Sequence, residues 1–171
     1  MTGRTVEATG DLPESGTNRL LSLTLDPGSI ARGNPNIEHE REVAIFDILD
    51  ANTFIVDGRN DGPYRLELAV ADDRLLFNIT PDAGTTTPVS IPVALLPLKR
   101  VMKDYFLVCE TYYQAIRTSP PSKIQQIDQG RRALHDEGAK SLVDRLAGKL
   151  TMDTDTSRRL FTLICALHWK G

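Results

Sequence analysis

The sequence predicts an α+β fold, in which a small antiparallel sheet, a meander, packs with about four helices. Apolar residues alternate at period two in short segments before and after one N-terminal helix, and from Leu98 onward they recur every three or four residues. Strands and helices are therefore segregated along the chain rather than alternating, with three consecutive helices in the C-terminal half. A length of 171 residues, of which 40% are hydrophobic and 25% charged, is typical of one globular domain.

The individual strands follow from alternation and turn residues. A first strand ends at the turn signal Asp26-Pro27-Gly28, and a hairpin turns at Asp72-Asp73, although this turn lacks the usual glycine. Prolines in the last strand confine it to a sheet edge, because proline cannot donate to a strand partner. The predicted strands cover residues 20–25, 64–71, 74–80 and 89–93.

The helices follow from capping residues and apolar spacing. Asn34-Pro35 provides a cap and a first-turn proline, and Ser119-Pro120 separates the second helix from the third. The predicted helices cover residues 35–51, 98–118 and 121–147, followed by a fourth that is capped by residues 153–155 and runs to about residue 168. Residues 1–18 are small and polar, which indicates a flexible tail before a single domain at residues 19–171.

Composition and motifs exclude several classes of function. Since there is no long apolar run and no secretory signal, we expect a cytoplasmic protein. Cys109 and Cys165 lie within apolar helical patterns and are interpreted as reduced core residues. No nucleotide-binding glycine motif, nucleophile elbow or zinc-protease motif is present, so the sequence indicates no cofactor. Glu38, His39 and Glu40 point in different directions around a helix, so no metal site is predicted there.

Charge is distributed unevenly along the chain. Residues 1–97 carry 7 basic and 15 acidic side chains, whereas residues 98–171 carry 13 basic and 8 acidic ones. The two halves either face each other, complement a second copy, or offer the basic half to an anionic partner. The acidic total and the lack of a dense basic block argue against nucleic acid.

Two helices direct charged side chains toward their apolar faces. In the first helix Arg41 lies within the apolar arc, with Glu38 one turn before it; in the third, Asp128, Arg131 and His135 lie among apolar residues. A buried arginine is tolerated only when it is paired. If the two helices pack together, these five residues form one cluster, which either braces the helices or binds a ligand. Gly138 projects toward the same face as Arg131, where a neighbouring helix, a ligand or a kink would explain it.

Short runs across the helices carry a resemblance to a known family. They are IEHER at 37–41, KDYF at 103–106, CE at 109–110, YY at 112–113, AIR at 115–117, ID at 127–128, GRR at 130–132, LH at 134–135, EG at 137–138 and RRLFTLIC at 158–165. These runs resemble the uncharacterised bacterial protein family UPF 0262, and the likeness extends over nearly the whole chain from about Leu20. The resemblance implies a small alphaproteobacterial protein, and it implies no activity and no catalytic residue.

Two functional hypotheses remain at this point. The first is a non-catalytic interaction or regulatory module, supported by the missing catalytic motifs, the charge asymmetry and the tyrosines at 105, 112 and 113, since tyrosine suits interfaces. Its partner would be another protein or a second copy. The second is an enzyme or sensor for an anionic small molecule, a class that includes phosphorylated ones. In that case Arg41 and Arg131 clamp the anion, His135 exchanges a proton, and Glu38 and Asp128 orient the arginines.

Overall fold

The structure is a computed structural model that describes residues 16–83 and 87–169. Its strands and helices confirm the predicted α+β class and the order of the main elements. The strands are β1 (Leu20–Leu25), β2 (Phe54–Val56), β3 (Tyr64–Ala71), β4 (Arg74–Pro81), β5 (Val89–Ala94) and β6 (Leu150–Met152). The helices are α1 (Pro35–Asp50), α2 (Leu95–Thr118), α3 (Pro121–Leu146) and α4 (Thr154–His168).

The main sheet has four strands in the order β1-β3-β4-β5 and is mixed. β3, β4 and β5 pair antiparallel as predicted, but β1 pairs parallel with β3, so a pure meander was wrong. The reason is α1, which lies between β1 and β3 in the chain and provides the long crossover that parallel neighbours need. β5 lies at a sheet edge, where its proline is tolerated.

The hairpin between β3 and β4 has the two-residue turn that the sequence predicts. Ala71 pairs with Arg74, and the turn residues Asp72 and Asp73 have φ angles of 51° and 61°. Positive φ at both central positions gives the backbone twist that a two-residue hairpin requires. Aspartate tolerates this conformation better than most residues, which explains why the turn forms without glycine.

A second, two-stranded sheet escaped prediction. β2 and β6 pair antiparallel across about a hundred residues of sequence, with Ile55 opposite Thr151. Strands of three residues are too short to show a period in the sequence. Asn52 and Thr156 hold this sheet in place: the Asn52 side chain bonds the backbone of Leu20 and Ile48, and the Thr156 hydroxyl accepts the Thr53 amide.

Helices α1 and α4 are capped as predicted. The Asn34 side chain accepts from the Ile37 amide at 2.9 Å, and the Asp153 side chain accepts from the Thr156 amide at 3.2 Å. α2 begins at Leu95, earlier than predicted, because Pro97 falls in the first turn, where a missing amide hydrogen removes no helical bond. Among the described residues, no helix has both the length and the apolar character needed to cross a membrane.

α4 lies at the centre of the helical layer. α1 and α3 each pack against α4, and α2 packs against α3. Buried side chains of α4 join those of the main sheet in one core. Cys109 and Cys165 are buried free thiols, as expected. Of the predicted tail, residues 1–15 lie outside the described residues, and the Asn18 carbonyl accepts a hydrogen bond from the amide of Phe54.

Candidate functional site

Arg41 is a buried link between α1 and the end of α4. Its side chain is 7% exposed, and its Nε donates to the Ala166 carbonyl at 3.2 Å and its Nη2 to the Leu167 carbonyl at 3.5 Å. These carbonyls belong to the last turn of α4, where backbone acceptors lack helical partners and the helix dipole favours a cation. Nη1 donates to the Ala31 carbonyl and to Glu38, each at 2.9 Å.

Glu38 completes this arrangement from the first turn of α1. Its carboxylate accepts the Gly33 amide at 2.8 Å, and that hydrogen bond, together with the charges of Arg41 and Arg32, holds the pKa of Glu38 below its usual value. The predicted Glu38–Arg41 pair is therefore present. Every nitrogen of the Arg41 guanidinium has an acceptor within the chain, so this pair has the geometry of a structural brace.

The second predicted pair, Asp128 and Arg131, lies on the face of α3 that meets α2. Arg131 donates through Nε and Nη2 to one carboxylate oxygen of Asp128, while Arg132 reaches the other oxygen at 3.0 Å. The Arg131 guanidinium lies 4.2 Å from the centre of the Tyr112 ring, a cation–π contact. Burial opposes the charged form, but the hydrogen bond and charge of Asp128 outweigh it, so the pKa of Arg131 is raised.

His135 joins α3 to α4. Its Nε2 lies 2.8 Å from the Thr162 hydroxyl oxygen, and its ring contacts Tyr105 and Phe161 edge to face. The Thr162 hydroxyl has one hydrogen, which it donates to the Arg158 carbonyl at 3.1 Å. His135 is therefore the donor in the bond to Thr162, which identifies the Nε2–H tautomer of the neutral ring.

We expect His135 to make the fold sensitive to mild acid. Burial, followed by the charge of Arg158, lowers the pKa of His135 despite the opposing charge of Asp136, and Arg131 lowers it further. Below pH about 6.5 the unfolded chain takes up this proton first, so the free energy of unfolding falls as the pH falls; above that pH the ring is neutral in both states. The slope is at most about 1.4 kcal/mol per pH unit for one proton.

Urea unfolding at pH 7.5, 6.5 and 5.5 measures this slope. His135→Gln is the matched variant, because an amide nitrogen can still donate to Thr162 but does not titrate. We expect its free energy of unfolding to fall less steeply below pH 6.5 than that of the unaltered chain. Equal slopes in the two proteins would show that His135 is not responsible.

The five predicted site residues form two groups rather than one. Glu38 and Arg41 lie at the end of α4, and Asp128, Arg131 and His135 lie on α3; within the described residues no hydrogen bond or ion pair joins the groups. They remain apart because α1 and α3 each pack on α4. Whether either group binds a ligand stays a prediction.

A pocket of about 170 Å³ opens where the four helices meet, and we call it the Arg131 pocket. Arg131 and Glu40 contribute the charged groups, and the Thr162 hydroxyl contributes a polar one. The remaining lining is aromatic, apolar or thiol, namely Tyr105, Phe106, Cys109, Tyr113, Cys165, Ala166 and Trp169. His135 does not line the pocket, but it contacts two lining residues, Tyr105 and Thr162.

The two thiols of this pocket and the phenol of Tyr105 are held in their protonated forms. Burial raises the pKa of Cys109 and of Cys165, and it also raises the pKa of Tyr105, which the neighbouring Cys109 raises further. The thiolate is the nucleophilic form of cysteine, so neither thiol is activated. Sequence reasoning assigned both cysteines to the core and missed that they also line a pocket; the tyrosines of α2 were the available signal.

No group of three or more histidine, cysteine, aspartate or glutamate side chains in the described ranges, 16–83 and 87–169, is arranged to hold a metal ion. The charged groups of the Arg131 pocket are one arginine and one glutamate. The Arg131 pocket therefore places one positive and one negative side chain beside an aromatic surface.

Comparisons with known proteins agree with the sequence resemblance. The chain is 52% identical over 153 residues to a UPF0262 protein of Rhizobium meliloti, covering 90% of this chain and 96% of the relative. It is 51% identical over 164 residues to one of Brucella canis, covering 95% and 99% respectively. One of Rhodopseudomonas palustris is 48% identical over 159 residues, covering 93% and 97%.

No solved structure matches the chain. The family model described as "Uncharacterised protein family (UPF0262)" matches residues 17–170, which is nearly the whole chain. The chain therefore belongs to the UPF0262 family.

Proposed function

We propose that this protein is a non-catalytic binding module that holds a small monoanion with an apolar body, such as an aromatic carboxylate, in the Arg131 pocket. The observation that carries the proposal is the incomplete set of hydrogen bonds made by the Arg131 guanidinium. Its Nε and Nη2 are committed to Asp128, whereas Nη1 has no acceptor among the described residues. Arg131 thus keeps a donor available in a pocket whose walls combine aromatic and apolar side chains with polar ones.

A binding role is favoured over catalysis because the groups near the pocket are not activated. The two thiols and the phenol of Tyr105 stay protonated at neutral pH, so none of these three groups is a ready nucleophile. His135, the proton carrier of the enzyme hypothesis, does not line the pocket, and it donates its hydrogen bond to the hydroxyl of Thr162, which does. Arg41, the second arginine of the predicted clamp, is already satisfied by carbonyls and Glu38.

The charges around the pocket favour one negative charge on the ligand. Asp128 balances part of the charge of Arg131 and Arg132, and Glu40 adds a negative charge at the pocket itself. A doubly charged phosphate would meet Glu40 with too little positive charge to offset the repulsion. A volume of about 170 Å³ is below the usual range for drug-sized ligands, which limits the ligand to a small molecule.

The fluorescence of Trp169 offers a direct test, because the sequence contains one tryptophan and its ring lines the pocket. Titration with benzoate should change the emission in a saturable way, whereas inorganic phosphate should have little effect. Arg131→Gln should weaken benzoate binding at least about tenfold, since a hydrogen bond to a charged group contributes roughly 1.5 to 3 kcal/mol.

Arg132→Gln is the matched control. Arg132 pairs with the same aspartate but is 74% exposed and does not line the pocket, so this variant should bind benzoate like the unaltered chain. The proposal would be contradicted if benzoate and other small carboxylates gave no saturable change, or if both variants lost binding equally.

A further inference from the structure

One surface of α1 carries exposed apolar side chains among acidic ones. Val43 is 44% exposed and Phe46 is 68% exposed, and Glu42, Asp47 and Asp50 surround them. At about 100° per residue these five positions fall within one arc of the helix. We call them the acidic face. Two exposed apolar side chains that are neighbours on one helix, with acidic side chains around them, form a patch that folding of the single chain does not explain.

The first half of α2 carries the complementary surface. Leu96 is 61% exposed and Leu107 is 55% exposed, and Lys99, Arg100 and Lys103 lie between them on the same arc. We call these five residues the basic face. Each face thus combines exposed apolar side chains with charges of one sign. The charges are negative on α1 and positive on α2.

The charges on both faces have no ion-pair partner within the described part of the chain. The acidic side chains are Glu42, Asp47 and Asp50, and the basic ones are Lys99, Arg100 and Lys103. Like charges three or four residues apart, such as Lys99 and Lys103, destabilise a helix by a few tenths of a kcal/mol. An opposing surface of the other sign would relieve that repulsion.

We propose that the chain forms a two-fold symmetric dimer in which the acidic face of each copy packs on the basic face of the other. A two-fold axis repeats every contact, so one complementary pair of faces supplies two contacts per dimer. The faces span similar lengths, about 12 Å and about 17 Å of helix at 1.5 Å per residue. This inference does not depend on the Arg131 pocket.

A groove beside the basic face provides a place for the exposed phenylalanine. It has a volume of about 600 Å³, and its lining combines the apolar side chains of Met102, Phe106, Leu167 and Trp169 with the charged side chains of Lys99, Lys103 and Glu110. Phe46 of the opposing copy would insert here, between apolar walls. Aromatic side chains that fill a pocket at the centre of an interface commonly contribute most of its binding energy.

Light scattering on a size-exclusion column, with the full chain at about 100 µM, measures the state of association. The unaltered chain should elute at twice the monomer mass. Phe46→Asp should elute as a monomer, because it removes the anchor and adds another negative charge. Circular dichroism melting confirms that this variant is folded, which is expected because Phe46 is 68% exposed.

A charge exchange gives the sharper test. Lys99→Glu/Lys103→Glu makes both faces acidic and Glu42→Lys/Asp47→Lys makes both faces basic, so each variant alone should dimerise at least about a hundredfold more weakly. Mixed together, they should form a one-to-one dimer, because each acidic face then meets a basic one. Lys123→Glu/Lys140→Glu, exposed positions on α3, is the control of equal charge change and should remain dimeric.

Several results would overturn the proposal. They are a monomeric unaltered chain at 100 µM, face-reversed variants that dimerise as well as the control, and a mixture of the two variants that stays monomeric. Assembly into larger species instead of a dimer would also overturn it, since a closed two-fold dimer leaves neither face free.

Discussion

Replacing Arg41 with alanine is expected to lower the free energy of unfolding by about 3 kcal/mol. The change removes the donor for two carbonyls in the last turn of α4 and for the Ala31 carbonyl, and it leaves Glu38 without its nearest cation. Buried acceptors without a partner cost more than a lost surface contact, because water cannot replace the missing donor. Urea unfolding followed by far-ultraviolet circular dichroism measures the loss.

Two further variants separate the geometry of Arg41 from its charge. Arg41→Lys keeps the charge, but one ammonium group cannot reach the carbonyls on both sides and Glu38 as well, so we expect an intermediate loss of about 2 kcal/mol. Arg65→Ala removes an arginine that pairs with Asp82 but is 56% exposed, and it should cost less than about 1 kcal/mol. A loss for Arg41→Ala as small as that for Arg65→Ala would rule out a bracing role.

The sequence predicted the local part of the Arg41 arrangement and not the distant part. Apolar periodicity placed Arg41 inward, and the i–3 spacing identified Glu38 as its partner, because both are properties of a single helix. The carbonyls of Ala166 and Leu167 are more than a hundred residues away. Backbone acceptors have no side-chain signature, so only the packing of α1 on α4 brings them to Arg41.

The same limit applies to the other elements. Asp128 and Arg131 were paired correctly from helical spacing, whereas the partner of His135, Thr162, lies on another helix. The prediction of a single cluster assumed that α1 and α3 are in contact. Apolar periodicity identifies the buried face of a helix, but it does not identify the neighbouring helix that this face contacts. β1 was placed correctly, but its parallel pairing with β3 depends on how the chain crosses the sheet.

Gly138→Ala is expected to lower the free energy of unfolding by about 3 kcal/mol, at the upper end of the range for an overpacked core. A Cβ atom at this position would lie 2.1 Å from Cζ of Phe161, and two other ring atoms would lie within 2.5 Å. Phe161 is fully buried between Tyr105 and His135, so its ring has no space to turn away. Thus Gly138 allows α4 to approach α3 closely, one of the possibilities that the sequence left open.

Gly130 on the same helix provides the matched control, because a Cβ atom there would meet nothing within 4 Å. Gly130→Ala should therefore raise the free energy of unfolding by about 0.5 to 1 kcal/mol, as alanine favours a helix more than glycine does. Two glycines of one helix would then respond with opposite signs, which helix propensity alone cannot produce. If the clash with Phe161 is the cause, Gly138→Ala combined with Phe161→Leu should be more stable than the sum of the single losses predicts. If the losses of the two single variants simply add in the double variant, contact with Phe161 is not the cause of the loss in Gly138→Ala.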